Sequence, residues 1–301
     1  MNAYERITNQ IIGALEEGHI PWEKPWVGQA GMPQSIHGRA YRGVNAFWLG
    51  FVAHHFGYSD PRWLTFNAAK KLGGKVRNGE KSQAVTLWLK KYSHVENCPT
   101  GKQKNSDQKA CGNLKGKKSN LCSEYFYLRY YNVFNVEQVD DLDIKPIDTE
   151  EFDFDPIEAA EELVGEYLER ESIPLLQGGE AFYQPASDSI TMPKPTMFKR
   201  PEAYYTALFH ECAHSTGHSA RLNRKGNEKV SHFGSENYAK EELVAEMGSA
   251  FLGGHTGVEN VIEDRQRVAY IQSWLKVLKN DSRLVVNAAS QAQRAAEYII
   301  G

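Results

Sequence analysis

The spacing of apolar residues divides the chain into a short series of helices and strands. In YERITNQIIGALEE (residues 4–17), Ile7, Ile11, Ile12 and Leu15 fall on one side of a 3.6-residue period, which predicts an amphipathic helix. A turn-rich segment with Pro21, Pro25, Gly28, Gly31 and Pro33 follows. The next helix is expected from about Asn45, a suitable cap, to about Phe56, with Gly57 as its stop. A short helix from Phe66 to Leu72 should end at Gly73 and Gly74. Two aromatic and β-branched runs, 84–92 and 124–136, predict antiparallel strands joined by a long insert, 93–123. The insert's lysines (102, 104, 109, 115, 117, 118), with much Ser, Asn and Gly, predict a mobile segment.

Downstream, the pattern gives a helix over 156–171, a short strand pair around GGEAFYQPASDSITMP, and a helix containing HECAH. A loop over 219–236, a helix at about 237–252 and two amphipathic helices, RQRVAYIQSWLKVLKN and AASQAQRAAEYII, complete it. Residues 140–155 hold eight acidic residues and one lysine, and this composition shift marks a boundary. The expected fold is α+β with two domains. An α+β unit spans 1–138, with its mobile insert at about 93–123. An acidic linker spans 139–155, and a mainly helical unit with a small sheet spans 156–301.

Charge sharpens this division. Residues 1–130 hold 19 Lys and Arg against 9 Asp and Glu, a net of +10, while residues 131–301 hold 16 against 29, a net of −13. A basic front half fits a polyanionic partner, or docking on the acidic half. No apolar run approaches bilayer length, and MNAYERITNQ lacks the features of a signal peptide. Four irregularly spaced cysteines fit a reducing compartment, so a cytoplasmic protein is expected. His94, Cys98, Cys111 and Cys122 lack the close Cys-x₂₋₄-Cys pairing of structural zinc sites. GKVRNGEKS (74–82) mimics a phosphate loop, but Glu80 interrupts the pattern and a strand follows it.

The strongest chemical signal is HECAHSTGH, residues 210–218. Histidines four apart share a helix face, so His210 and His214 can reach one ion, and Glu211 is placed to act as general base on an attacking water. Such a site needs a third ligand. His218 is close, although Gly217 should break the helix before it, and the longer HExxHxxGxxH form fails because Ala220 stands at its last position. The other candidates are Glu242 and Glu246 of EELVAEMGSAFL, four apart on the next helix, where Ala245, Gly248, Ser249 and Ala250 permit close packing. One carboxylate would complete the ligand set and the other would hold a histidine ring in orientation. A His₂Glu set suits Zn²⁺ and also accepts Mn²⁺ or Co²⁺.

Glu242-Leu-Val-Ala-Glu246 resembles the E-x-x-A-D/E arrangement of the gluzincins, whose first Glu binds zinc. HECAHSTGHSARLNR followed by YAKEELVAEMGSAFL resembles the metallopeptidase domain of the ArdC antirestriction proteins of conjugative plasmids. NAFWLGFVAHHFGYSDPRWLTFNAAKKLGGKVRNGEKS is similar to that family's single-stranded-DNA-binding domain, and AYIQSWLKVLKND also fits. The resemblance covers most of the chain outside 93–123. It implies a zincin-like C-terminal fold, metal ligands at His210, His214 and Glu242, and a catalytic Glu211, which leaves Glu246 as the supporting carboxylate. The implied role is protection of incoming plasmid DNA from host restriction, with a restriction-system protein or another peptide as substrate.

Binding single strands requires a basic groove and exposed aromatic rings. Arg39, Arg42, Arg62, Lys70, Lys71, Lys75, Arg77 and Lys81, interleaved with Tyr41, Trp63 and Phe66, are the candidates. Phe47, Trp48 and Phe51 stand at helical spacing and are expected in the core, so stacking falls to the aromatics in turn-rich context, Trp22, Trp26, Tyr41 and Trp63. Asp188-Ser-Ile-Thr-Met192 is the expected edge strand for an extended peptide. Tyr238 and His232 are possible oxyanion donors, neither favoured. The other readings are a DNA-binding protector with a structural or inactive metal site, and an effector metalloprotease that docks on DNA.

Overall fold

The computed structural model describes residues 1–23, 31–94, 122–145, 147, 156–224, 236–260 and 264–301. Trp26, Cys98, Cys111, His232, nearly all of the insert and most of the acidic linker lie outside the described residues.

The first helix, α1 (Ala3–Glu16), starts where Asn2 and Glu5 cap each other reciprocally, and it buries Ile7, Ile11 and Leu15. After β1 (Gln34–Ser35) comes α2 (Val44–Phe56), ended by the left-handed Gly57. Gly43, at φ 55°, occupies the N-cap expected of Asn45. The Asn45 side chain is committed elsewhere. It accepts from the Thr86 N–H at 2.7 Å and donates to the Thr86 carbonyl at 2.7 Å, stitching α2 to the sheet. The remaining elements of this half are β2 (Arg62–Leu64), α3 (Phe66–Lys71), β3 (Lys75–Val76), β4 (Gln83–His94), β5 (Cys122–Asn135) and β6 (Val139–Asp140). They form a sheet of order β1-β2-β5-β4, antiparallel except for the β1–β2 pair, and a small β3–β6 ribbon.

In the second half, α4 (Pro156–Glu171) leads into β7 (Leu175–Gln177), β8 (Phe182–Gln184) and β9 (Ser189–Met192). Then come α5 (Pro201–Ser215), α6 (Glu236–Thr256), α7 (Asp264–Asn280) and α8 (Leu284–Ile300). The three strands make a sheet of order β7-β9-β8. Ala288, Ala289, Ala292, Ala295 and Ala296 line the buried side of α8, which lets neighbouring helices approach closely.

One apolar cluster runs through both halves, joining Ile7, Trp22, Phe47 and Trp63 to Phe209, Phe251, Trp274 and Ile299. Phe47 meets Phe251 with ring centroids 4.3 Å apart, and Trp22 meets Trp274 edge-on at 4.9 Å. The α+β fold follows the sequence pattern, and a shared core joins its two halves. No helix among the described residues is long and apolar enough to cross a membrane.

Candidate metal centre

Pro201 opens α5 at its first turn, a position where the missing N–H costs nothing. Two turns later His210 and His214 project from one face, with their Nε2 atoms 3.0 Å apart. Glu242 of α6 spans the pair, one carboxylate oxygen 3.6 Å from His210 Nε2 and the other 3.4 Å from His214 Nε2. Donor atoms around a tetrahedral ion with bonds of about 2.0–2.1 Å stand about 3.3 Å apart, so this set fits a divalent ion with little movement. Among the described residues it is the one His/Cys/Asp/Glu group with such geometry. His218 stands apart from it, its Nδ1 facing Asp188 at 3.9 Å.

Gly248 sets the approach of the two helices. A Cβ there would lie 2.9 Å from the Ala213 Cβ, between the two histidines on α5. Ser249 adds a hydrogen bond across the same seam, its hydroxyl donating to the Thr206 carbonyl at 2.9 Å.

Behind these donor atoms, each histidine faces a second carboxylate. His210 Nδ1 is 3.7 Å from Glu246, and His214 Nδ1 is 3.6 Å from Glu241. Carboxylates on the Nδ1 sides leave both Nε2 atoms facing the candidate ion position. Glu241 is the residue that sequence spacing missed. It is anchored by Arg224, which is buried and also donates to the Ala213 carbonyl at 2.8 Å. Burial disfavours a charged imidazole, yet the Glu241 and Glu242 carboxylates, which can accept from the protonated ring, outweigh it and push His214 up to about 10. His210 also moves upward: burial opposes, and Glu242 prevails. Burial would raise Glu242, but the two histidines hold it well below the usual carboxylate range. Burial raises Glu246.

Glu211 is buried, and its Oε2 accepts the backbone N–H of Tyr183 on β8 at 2.7 Å. That strand is fixed in turn by Arg221, which donates to the Ser215 carbonyl at the end of α5 (2.8 Å) and to the Tyr183 hydroxyl (3.2 Å), and pairs with Asp188. The segment Asp188–Met192 is not the edge strand expected of it. Within it, β9 pairs with β7 on one side and β8 on the other, which leaves its backbone no open side for a peptide; β8 is the edge that meets α5.

The nucleic-acid candidates separate clearly. Arg39, Lys70, Lys71, Lys75 and Lys81 are exposed. Arg42 pairs with Glu297, and Arg77 pairs with Glu80 and Asp140. Arg62 is tied to Asp60 and donates to the Lys145 carbonyl, so it has little left for a phosphate. Tyr41 is half-buried, and burial raises its hydroxyl to about 12. Trp22 and Trp63 are fully buried and cannot stack on a base; Trp63 sits on a strand paired on both sides, with its side chain in the core. Of the candidate rings Phe66 is exposed, and the other exposed rings among the described residues of this half are Phe56, Trp88, Tyr125, Phe126, Tyr127 and Tyr130. Their signal was visible in EYFYLRYY: aromatics at both parities of a strand cannot all face one core.

A two-histidine helix with an intervening glutamate, a third donor on the next long helix and a small sheet over the first helix define a zincin-like domain. Residues 158–291 match the family model of the zincin-like metallopeptidase, and residues 1–134 match that of the N-terminal domain of anti-restriction factor ArdC. The metal-free crystal structure of the antirestriction ArdC protein of plasmid R388 is similar at 32% identity and a TM-score of 0.73, covering 99% of this chain and 97% of that one. Its Mn(II)-bound form gives 33% and 0.69 with the same coverage. The chain belongs to the ArdC antirestriction family. Protein y4eC of Sinorhizobium fredii is 32% identical, covering 98% of this chain and 91% of that protein. Two Escherichia coli DNA primase TraC proteins are 34% identical over 99% of this chain, which spans only 27% and 20% of their lengths.

Two predictions follow from the centre's geometry. Gly248→Ala gains about 1 kcal/mol of helix propensity but forces a clash costing about 1–3 kcal/mol, so α6 should shift away from α5. Calorimetry should show weaker metal binding together with a lower melting temperature; wild-type values for both would contradict the contact's role. Protons and metal compete for the same histidines. In chelator, the stability contributed by His214 should be complete below its ordinary value of 6.5 and lost as pH rises through about 10, while metal affinity climbs over the same window. Melting curves in chelator that stay flat or rise across this window would contradict the assignment.

Proposed function

We propose that this chain is a cytoplasmic antirestriction protein that binds single-stranded DNA and hydrolyses peptide bonds, protecting incoming conjugative DNA. The observation that carries the peptidase reading is the coincidence at one place of a His₂Glu donor set and a glutamate held by a main-chain donor. His210, His214 and Glu242 would hold the ion, which is Zn²⁺ in the simplest case, with Mn²⁺ or Co²⁺ as substitutes. When bound, the ion would polarise a peptide carbonyl and ease deprotonation of the attacking water. The Tyr183 N–H fixes one Glu211 oxygen, which leaves Oε1 to take the water's proton and pass it to the leaving amine. Glu241 and Glu246 keep the two imidazoles in register throughout.

The Mn(II)-bound relative supports a divalent ion here. The exposed basic side chains Arg39, Lys70, Lys71, Lys75 and Lys81 support contact with a nucleic-acid backbone in the first half. The substrate of the peptidase reading is a protein of the restriction system or another host peptide.

Glu211→Gln tests the catalytic role without disturbing the fold, because the amide oxygen still accepts from Tyr183. It should keep metal and DNA binding, lower peptide cleavage by about 10²–10⁴-fold, and abolish protection in a conjugation assay against a restricting host. Full protection by this variant would show that cleavage is not the function.

A further inference from the structure

Two cavities, of about 630 and 520 Å³, lie side by side between the first-half sheet and α8. They share Trp88, Ser290 and Arg294, so they form one continuous groove. One end is walled by Arg39, Tyr41 and Arg42, and the other by Leu222, Asn223 and Arg224. We propose that this groove is the path of a single DNA strand, and that the helix α8 of the metallopeptidase half supplies one of its walls. The proposal rests on the DNA-binding reading above and assigns it a location that includes the other half of the chain.

Charge carries the argument first. Among the described residues no acidic side chain lines either cavity, although residues 131–301 carry a net of −13. The α8 wall presents Asn287, Ser290, Gln291 and Arg294, spaced three and four apart along one stripe, opposite the buried alanines. Along the cavities this stripe offers hydrogen-bonding groups and one exposed cation, and its carboxylate, Glu297, comes only one turn beyond Arg294. Arg39 and Arg294 stand on opposite walls, both exposed, and neither forms an ion pair among the described residues. Arg42 pairs with the exposed Glu297 at the rim, a weak contact that a phosphate can displace.

Shape and stacking select a single strand. Trp88 is 49% exposed where the cavities join, with one side resting edge-on against Tyr4. Leu87 and Tyr131 also line the larger cavity. Cavities of about 300–1,000 Å³ suit small ligands or splayed bases and have no room for a duplex. Stacking on Trp88 tolerates any base, as a protector of arbitrary DNA requires. At its inner end the groove reaches Arg224, which anchors Glu241 behind His214, so a bound strand would run to the back of the metal centre.

The test uses the full chain and a fluorescein-labelled oligo-dT, followed by anisotropy over a salt series. Arg294→Glu should weaken binding at least about tenfold and flatten the salt slope by about one, while Arg294→Lys should keep the slope. Trp88→Ala should weaken binding about tenfold at unchanged slope. A bromouracil-substituted strand should photocross-link to the peptides bearing Trp88 or Tyr131, a readout independent of any variant's folding. If Arg294→Glu and Trp88→Ala bind like wild type while Lys71→Glu weakens binding, or if cross-links form only elsewhere, the strand does not use the groove. The DNA-binding reading would then stand without it. Absence of binding by the wild-type chain would overturn both.

Discussion

Where α5 and α6 cross at Gly248 and Ala213, there is room for a hydrogen atom but not for a methyl group. That contact sets how near Glu242 comes to His210 and His214, and the proposed chemistry depends on their spacing. Donor separations of 3.0–3.6 Å match an ion's coordination shell; a helix displaced by an ångström would spread them beyond it. The apolar residues of α6, among them Leu243, Met247 and Phe251, bind this arrangement into the core shared with the first half. Packing across the whole chain therefore bears on one small polar cluster.

The cluster itself gathers buried charge. Three carboxylates, Glu241, Glu242 and Glu246, surround two histidines, and among the described residues only Glu241 pairs with a Lys or Arg, Arg224. Without an ion, protons on the imidazoles balance the remaining charge, which is why both rise in basicity. A divalent ion would replace those protons with the same charge at the same place. The site is thus electrostatically prepared for a cation, and the Tyr183 amide keeps Glu211 oriented beside it.

Much of this was legible in the chain. The i, i+4 histidines, the small residues of EELVAEMGSAFL and the division of charge are local patterns, and local patterns survive folding. What stayed hidden depended on long-range geometry. Glu241 could not be distinguished from its neighbours, because the rotation of α6 decides which carboxylate faces which ring. The donor to Glu211 is a main-chain N–H, which has no letter in a sequence. The strand β9 read as an edge because Leu175–Gln177 is too short to announce a third strand. Trp63 lay in turn-rich context yet belongs to a paired strand in the core, whereas Trp88, which alternates with Leu87 and Leu89 and could have faced either way, is half exposed.

The most direct measurement is an anomalous-difference map from crystals of the full chain grown with Zn²⁺ or Mn²⁺, recorded at that metal's absorption edge. The account predicts one strong peak bonded to His210 Nε2, His214 Nε2 and a Glu242 oxygen, with Glu241 and Glu246 on the far sides of the rings. A peak bonded through Nδ1, through Glu246 or through His218, or no peak between α5 and α6, would contradict it.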